Sequence, residues 1–259
     1  MKFLFPSDVL ECKTADESFS SQIQAFKDVG FTTGLFSIEN AQMGKKAIFG
    51  DISEGDTVVY RGWMLNKADY QLYCRELERI GAIAFTDLDV YLSCHHLPNW
   101  VELISEYTPK TIVIGKDADL KHTLDALAWD SYFIKDYVKS LKTNSGSVIS
   151  SSEGVDELVS DMTKFRGEIE GGFCIREVED FDAESELRYF VIKGIPYAGD
   201  AKAEVPEIVK EAASRISSSF FTIDVIKTFS GEDRIVEVGD GQVSDIVGWS
   251  ANRLANCWV

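Results

Sequence analysis

Two kinds of hydrophobic pattern alternate along the first 115 residues of the chain. Short apolar runs, which are typical of β-strands, occur in MKFLFPSD, DTVVYRGWML, AIAFTD and KTIVIG. The stretches ESFSSQIQAFKDVG, KADYQLYCRELERIG and LPNWVELISEYT have helical spacing instead, and the first two end in a glycine that favours a helix stop. Strands and helices that alternate in this way predict an α/β unit.

The second half of the chain has a different order of elements. Strands are predicted in YFIKDYV and GGFCIREVED, with the helix EGVDELVSDMTKF between them. A hairpin in SELRYFVIKGIPYAGD, a helix in VPEIVKEAASRI and two last strands, FFTIDVIKTF and RIVEVGDG, complete the pattern. These hairpins predict an α+β arrangement with antiparallel pairing. The Ser- and Gly-rich stretch TNSGSVISSSEG predicts a mobile flap.

Composition narrows the classes of function. The formal net charge of −17 argues against a nucleic-acid surface, which normally carries a basic stripe, but it leaves room for a small polyanion in a local basic cleft. The sequence has no signal-peptide core and no apolar run long enough to span a bilayer. The five cysteines have no CxxC spacing, which favours free thiols in a reducing cytoplasm. We therefore expect a cytoplasmic protein that binds neither nucleic acid nor membrane.

Two lysines lie close together in the predicted strand YFIKDYVKS. Because side chains alternate along a strand, Phe133, Lys135, Tyr137 and Lys139 share one predicted face. A charge on a covered sheet is costly unless a group of opposite sign accompanies it. The two lysines therefore predict an anionic partner at this face.

The last predicted hairpin carries two acids that would lie near each other. If the turn SGED closes the hairpin symmetrically, Phe229 lies opposite Arg234, and Asp224 lies opposite Gly239. Asp224 and Glu237 are then diagonal neighbours on one face, close enough to share one or two Mg²⁺ ions. A slip of one residue would undo this arrangement. The alternative, that both are solvent-facing acids of an acidic protein, stays open at this point.

Other charged pairs are ambiguous when they are taken singly. Glu186 and Arg188 lie two residues apart in SELRYFVIK and could be a plain surface ion pair. Arg176, Glu177 and Glu179 in CIREVED are similarly ambiguous. The sequence lacks GxxxxGKS/T, GxSxG and a GxGxxG in a strand-to-helix setting. Zinc is disfavoured as well, because the histidines and cysteine of SCHHLP have no further ligands at metal-binding spacing.

The order of these stretches is more informative than any one of them. A lysine strand, a Gly/Ser flap, a hinge strand, an acid-x-arginine strand, an aspartate strand and a glutamate strand follow one another. This order resembles the ATP-grasp superfamily, and RGWML, FIKDYVKS, ELRYFV and VEVGDGQVS closely resemble the small R2K-clade ATP-grasp proteins of bacteria and phages. The resemblance covers roughly residues 55–250. It implies a pre-ATP-grasp-like α/β domain over residues 1–112, followed over residues 113–259 by two α+β lobes that enclose Mg-ATP.

The resemblance implies an ATP site in the second half of the chain. Lys135 and Lys139 would contact the ATP phosphates, and the flap would close over them. The backbone of Arg176, Glu177 and Val178 would read the adenine edge. Glu177 or Glu186 would bind the ribose.

The resemblance also implies a magnesium site with Asp224 and Glu237 as ligands. The superfamily usually places an Asn two residues after the metal-binding Glu, and this chain has Gly239 there. Asp240 or Gln242 would then substitute, and Asp240 is the third candidate ligand.

The implied activity is that of an ATP-dependent ligase. A carboxylate would attack the γ-phosphate of Mg-ATP, and an amine or similar nucleophile would capture the acylphosphate. Lys135 and Arg188 would neutralise the developing charge. Arg61 would hold the carboxylate of a small-molecule or peptide acceptor, since Arg binds such groups bidentately, and a surface ion pair is its alternative role. Two other activities stay open: a phosphotransferase with the same ATP site, and a nucleotide-binding regulatory module without turnover.

Overall fold

The structure, a computed structural model, describes residues 1–138 and 146–259. It forms two compact units, each assembled from separate stretches of the chain. The first unit contains Met1–Cys94, Arg188–Ile223 and Gly239–Val259, and the second contains His95–Leu187 and Asp224–Val238. The predicted domains, residues 1–112 and 113–259, are continuous stretches of sequence, whereas each of these units combines several stretches. The predicted boundary at residue 112 stays a prediction.

A five-stranded sheet lies in the first unit. Its strands are β1 (Lys2–Pro6), β2 (Thr32–Phe36), β3 (Ile48–Phe49), β4 (Thr57–Tyr60) and β5 (Ile83–Ala84). Their order is β3-β2-β1-β4-β5, and every neighbouring pair is parallel except β2 with β3. The accompanying helices are α1 (Ser20–Asp28), α2 (Ile38–Gln42), α3 (Lys67–Arg79) and α4 (Leu88–His95). The predicted α/β arrangement is confirmed.

Local sequence explains where the helices begin and end. The Asn66 side chain accepts the amide of Asp69 and so caps α3 at its N-terminus. The chain leaves α3 through Gly81, whose φ of +74° is easily adopted only by glycine.

The core of the first unit is aromatic. Along β1, Phe3 and Phe5 belong to one buried cluster while Leu4 belongs to another, as the alternation of a strand requires. The Phe3 ring lies 4.3 Å from that of Phe26 in α1 and 5.1 Å from that of Trp258 near the C-terminus. This part of the core therefore combines side chains from both ends of the sequence.

A four-stranded antiparallel sheet forms the centre of the second unit. Its strands are β6 (Thr111–Gly115), β7 (Tyr132–Asp136), β8 (Val148–Ile149) and β9 (Gly172–Glu177), in the order β6-β9-β7-β8. The helices α5 (Leu120–Leu127) and α6 (Val155–Arg166) accompany it. Tyr132 and Ile134 belong to the same buried hydrophobic cluster as residues of these two helices, whereas Phe133 and Lys135 line a pocket. The two faces predicted for this strand are confirmed at these four positions.

A third sheet contains the two predicted hairpins. Its strands are β10 (Phe181–Ile192), β11 (Ile195–Ala198), β12 (Phe220–Thr228) and β13 (Asp233–Asp240), in the order β11-β10-β12-β13. The helix α7 (Glu207–Arg215) precedes β12, and α8 (Ala251–Asn256) lies near the C-terminus. The pairing of β10 with β11 is antiparallel, as the first of these hairpins predicts.

The predicted register of the last hairpin is wrong. The amide of Thr228 donates to the carbonyl of Glu232 (2.9 Å), and the amide of Gly241 donates to that of Phe220 (3.0 Å). Between these two bonds the stretch from Glu232 to Gly241 is one residue longer than the stretch from Phe220 to Thr228, which is the mark of a β-bulge. The hydroxyl of Thr222 bonds to the Gly239 carbonyl (3.3 Å), so Thr222 rather than Asp224 meets Gly239.

The helix predicted in LPNWVELISEYT is also wrong. The segment forms two 3₁₀ turns, Leu97–Asn99 and Val101–Tyr107, and Ile104 leaves helical geometry with a φ of −137°. Spacings of three and four between apolar residues do not distinguish an α-helix from 3₁₀ turns. In the described part of the chain, no helix is long and apolar enough to cross a membrane.

Candidate functional site

A pocket of about 390 Å³ opens within the second unit. Strands β7, β8, β9, β12 and β13 contribute to it, together with the first half of β10 and residues outside the strands. Its apolar lining consists of Pro109, Phe133, Val148, Val178, Phe181, Ile226 and Val236. Its charged lining consists of Lys135, Arg176, Glu177, Glu179, Glu186 and Glu237. The site can therefore take a ligand with a flat apolar part and a charged part.

Two charged groups of the predicted site meet in this pocket. The Nζ of Lys135 lies 3.5 Å from Oε1 of Glu237, and the side chains are 8% and 46% exposed. The lysine lies on β7 and the glutamate on β13, so 102 positions of sequence separate two side chains that the fold brings together. Glu237 is the anionic partner that the buried lysine needs in this structure.

Arg176 connects the hinge strand β9 to β13. Its guanidinium donates to the carbonyl of Val236 (2.6 Å) and to the hydroxyl of Thr108. Burial lowers the pKa of Arg176 to about 10, so the group stays charged at neutral pH. Arg176 thus supports the wall of the pocket with its side chain, a contact that the sequence did not predict.

The hinge itself is only partly available to a ligand. The amide of Glu177 donates to the Lys110 carbonyl (2.9 Å), and the amide of Val178 donates to the Ser131 carbonyl (3.4 Å). The carboxylate of Glu177 also pairs with Lys110 at 2.9 Å. A ligand at the hinge would therefore meet other backbone groups than these two amides.

The pocket collects more than half of the residues predicted for the site. These are Lys135, Arg176, Glu177, Val178, Glu186 and Glu237. Lys139 and part of the predicted flap lie outside the described residues. Phe181, Ile226 and Val236 also line the pocket. No pattern in the sequence distinguishes them from ordinary strand residues, so sequence reasoning missed them.

The predicted metal ligands fit magnesium by their chemistry. Asp224 is buried in β12 and Glu237 lines the pocket from β13, and both supply hard carboxylate oxygens. Among the described residues, no group of three or more His, Cys, Asp or Glu side chains is arranged to hold a metal ion. Mg²⁺ is commonly bound by one or two carboxylates together with substrate phosphates, so a pair of acids is a suitable donor set.

Arg61 and Asp240 belong to a buried polar cluster of the first unit. Arg61 is 1% exposed and donates from Nη1 to the carbonyl of Gln242 (3.1 Å). Oδ1 of Asp240 accepts from the amide and from Nε2 of Gln242 (2.9 and 3.1 Å). Burial lowers the pKa of Arg61 to about 10 and raises that of Asp240 to about 7.

This placement changes the interpretation of both residues. The surface ion pair considered for Arg61 is wrong, because the guanidinium is buried. Its role as an acceptor clamp and the metal role of Asp240 stay predictions. Arg61 Nε and Asp240 Oδ2 have no hydrogen-bond partner among the described groups. Arg188 lies in the same unit, donates to the Asp245 carbonyl (2.9 Å), and lowers the pKa of Arg61 further through its charge.

The sequence also matches a family description over most of these elements. A family model described as ATP-grasp domain, R2K clade family 3, matches residues 101–258. The chain belongs to this ATP-grasp family. The match includes all the strands that line the pocket, and it extends through β13 to the C-terminal helix α8. The resemblance inferred from the order of sequence motifs is confirmed.

Solved structures support the same fold over the whole chain. The D-cycloserine synthetase DcsG has a TM-score of 0.66 at 12% identity, with 100% of this chain and 98% of that one covered. The macrocyclase MdnC from Microcystis aeruginosa MRC, bound with the precursor peptide MdnA, has a TM-score of 0.63 at 12% identity and coverage of 99% for both chains. The ATP-grasp ligase PsnB, solved with a phosphomimetic variant of its minimal precursor, Mg and ADP, has a TM-score of 0.57 at 12% identity, with 98% and 95% covered. No match is found among the curated proteins.

Proposed function

We propose that this ATP-grasp protein is an ATP-dependent ligase that activates a carboxylate as an acylphosphate and transfers the acyl group to an amine or similar nucleophile. The observation that carries the proposal is the pocket of the second unit, where Lys135 and Glu237 meet beside the hinge strand. Membership of the ATP-grasp family supports ATP as the ligand of this pocket.

The pocket offers a suitable environment for each part of the nucleotide. Phe133, Phe181 and Ile226 provide apolar surface for the adenine ring. Glu177 or Glu186 would bind the ribose hydroxyls. Lys135 would contact the phosphates, and its low exposure strengthens that attraction because little water screens the charge.

Glu237 would exchange its partner when Mg-ATP binds. It faces Lys135 in the structure, and in the complex it would join Asp224 in binding Mg²⁺. When bound, Mg²⁺ supplies charge neutralisation at the transferred phosphoryl group. Lys135 and Arg188 would add positive charge there, and no side-chain nucleophile is required. Lys139 and Asp240 stay candidate phosphate and metal contacts.

The acceptor in this proposal is a peptide or a small molecule. MdnC and PsnB are solved with precursor peptides, which supports a peptide, whereas the synthetase DcsG supports a small molecule. Arg61 stays the candidate residue for the acceptor carboxylate. A cytoplasmic location belongs to the same proposal, since all five cysteines are free.

The test is turnover with pools of candidate acceptors. The protein is incubated with Mg-ATP and with peptides, amino acids or polyamines, and ADP, phosphate and product mass are followed together. A ligase releases ADP and phosphate in step with a condensation product, because a cleft that excludes water protects the acylphosphate from hydrolysis. The yield should fall in Arg188→Ala.

The two alternatives give different results in the same experiment. A stable product heavier by one phosphoryl group would establish a phosphotransferase. Tight ATP binding without ADP formation from any pool would favour a regulatory nucleotide-binding module, and the ligase proposal would then be wrong for these acceptors.

A further inference from the structure

One arginine outside the predicted site is bonded to the hinge by its whole guanidinium. Nε and Nη2 of Arg234 donate to the two carboxylate oxygens of Glu179, at 2.9 and 2.8 Å. Nη1 donates to the carbonyl of Glu106 (3.0 Å), and Nη2 also donates to that of Thr108 (2.8 Å). The two paired side chains are only 15% and 25% exposed. A planar fork that makes four such bonds fixes geometry far better than a flexible surface ion pair.

The partner of this arginine contributes to the wall of the pocket. Glu179 follows directly on Glu177 and Val178, and all three line the pocket. The amides of Glu177 and Val178 already donate within the sheet. The amide of Glu179 donates to no group in the described part of the chain. Of these three hinge amides, it alone has no acceptor in the described part of the chain.

The guanidinium of Arg234 also bonds to the segment that ends at Pro109, on another part of the pocket lining. Its two carbonyl partners, Glu106 and Thr108, immediately precede Pro109, which lines the pocket. Arg176 donates to the hydroxyl of the same Thr108. The segment before β6 is therefore bonded to β9 and to β13 through two arginines.

We propose that Arg234 is a positioning residue for nucleobase selection. By holding both oxygens of Glu179, it presents the Glu179 amide to the base. An N–H donor matches N1 of adenine, which accepts a hydrogen bond, and opposes the N1–H of guanine and hypoxanthine, which donates. The inference rests on the proposed function, since it requires that the pocket binds a nucleotide.

The test compares three nucleotides in Arg234→Lys. Lysine keeps the charge but supplies a point donor instead of a fork, so it cannot hold both Glu179 oxygens and both carbonyls. Affinities for Mg-ATP, Mg-GTP and Mg-ITP are measured by displacement of a fluorescent ATP analogue, without any acceptor. We expect the affinity for ATP to fall roughly tenfold, the equivalent of one hydrogen bond, while the affinities for GTP and ITP change little. The preference for ATP should therefore shrink by the same factor.

Two further variants separate selection from general stability. Lys227→Met removes an ion pair with Asp233 (2.6 Å) in the same hairpin, and it should leave the preference for ATP unchanged. Glu179→Gln keeps the size of the side chain and weakens the contact with Arg234, so it should reduce the preference even if Arg234→Lys does not fold. Thermal unfolding without nucleotide identifies folded variants.

The outcomes distinguish this inference from the proposed function. An equal loss of affinity for all three nucleotides would show that Arg234 only supports the fold, and it would overturn the inference. An unchanged preference in folded Arg234→Lys would do the same. If the wild-type protein binds none of the three nucleotides, the proposed function fails first, and the inference fails with it.

Discussion

Lys135 is the residue whose environment says most about the pocket. Its side chain is 8% exposed, and its ammonium group lies 3.5 Å from Glu237. A buried lysine loses less on binding a phosphate than an exposed one, because it has already given up most of its water. Burial raises the pKa of the Cys174 thiol, opposite Lys135 on the paired strand β9, to about 12. The positive charge of Lys135 acts in the other direction and lowers that pKa by a smaller amount.

Removing the charge of Lys135 should weaken nucleotide binding. Lys135→Met keeps the apolar stem and deletes the ammonium group, so the affinity for Mg-ATP should fall at least about tenfold, the worth of one charge-assisted bond. Calorimetric titration measures this directly. Lys164→Met is the matched control, because Lys164 is 69% exposed and pairs with Asp161 on α6. Equal affinities of the two variants would contradict the assignment of Lys135.

Removing the charge of Glu237 should affect the metal more than the nucleotide. Glu237→Gln keeps the shape, so adenine and lysine contacts persist, while one magnesium ligand loses its charge. We expect turnover to be lost and the gain in ATP affinity on adding Mg²⁺ to shrink. Binding with Mg²⁺ and with a chelator measures that gain. Glu232→Gln, an exposed acid of the same hairpin, should behave as wild type. A full magnesium effect in Glu237→Gln would exclude a ligand role.

Asp240 should make stability depend on pH. Burial raises its pKa from 3.8 to about 7, so the folded protein binds this proton more tightly than the unfolded chain does. The stability it contributes is complete below about pH 4 and is lost as the pH rises through about 7, a change of at most about 4 kcal/mol. Asp240→Asn removes the titration and should be more stable than wild type at pH 8.

Chemical unfolding at pH 5 and pH 8 tests this expectation. The fall in stability between the two pH values should be smaller in Asp240→Asn than in wild type. Asp89→Asn, at an exposed position of α4, should retain the wild-type fall. If the fall is the same in all three proteins, Asp240 is not the titrating group.

At the scale of single elements, β13 departs most from expectation. A Cβ at Gly239 would lie 3.0 Å from Oγ of Ser244 and 3.1 Å from Oγ1 of Thr222. These hydroxyls bond to each other at 2.8 Å and to the carbonyls of Asp240 and Gly239. They occupy the space into which a side chain at position 239 would extend, so the usual Asn of the superfamily does not fit this strand without rearrangement.

A side chain at position 239 should therefore be destabilising. Gly239→Ala should cost about 1–3 kcal/mol, because neither hydroxyl can turn away without losing a bond. Combining it with Ser244→Ala removes the closest contact, so the double variant should lose less than the sum of the single losses. Urea unfolding of the four proteins in this cycle measures the coupling. Strict additivity would show that Ser244 does not restrict the position.

At the scale of the whole molecule, the first unit depends on distant parts of the chain. Its aromatic cluster combines Phe3 and Phe26 with Phe190, Phe220 and Trp258. The rings of Phe220 and Trp258 lie 4.8 Å apart, so the C-terminus completes a core that begins with the first strand. The N-terminal α/β segment supplies only part of its own hydrophobic core.

A fragment of residues 1–112 should not fold on its own. It would expose Phe3, Phe26 and Val59 to water, since their partners from β10, β12 and α8 would be absent. Circular dichroism and limited proteolysis of the fragment, beside the intact chain, test this. A fragment that unfolds cooperatively would support the predicted boundary at residue 112 as the limit of an autonomous domain.

The sequence alone determined the features that depend on near neighbours. The alternation of Phe133 and Lys135 with Tyr132 and Ile134 predicted the two faces of β7, because the period of a strand is set by its own backbone. Most of the predicted strands and helices are present for the same reason. The order of the motifs was sufficient for the family.

Only the tertiary structure decided the features that join distant positions. The bulge of the last hairpin depends on how β12 and β13 pair. The burial of Arg61 depends on the contact with Gln242. Neither feature is visible in the local spacing of residues. The four bonds of Arg234 join positions up to 128 residues apart. A charged residue in a strand looks the same in sequence whether it faces water or holds a hinge, because its environment is supplied by residues that are distant along the chain.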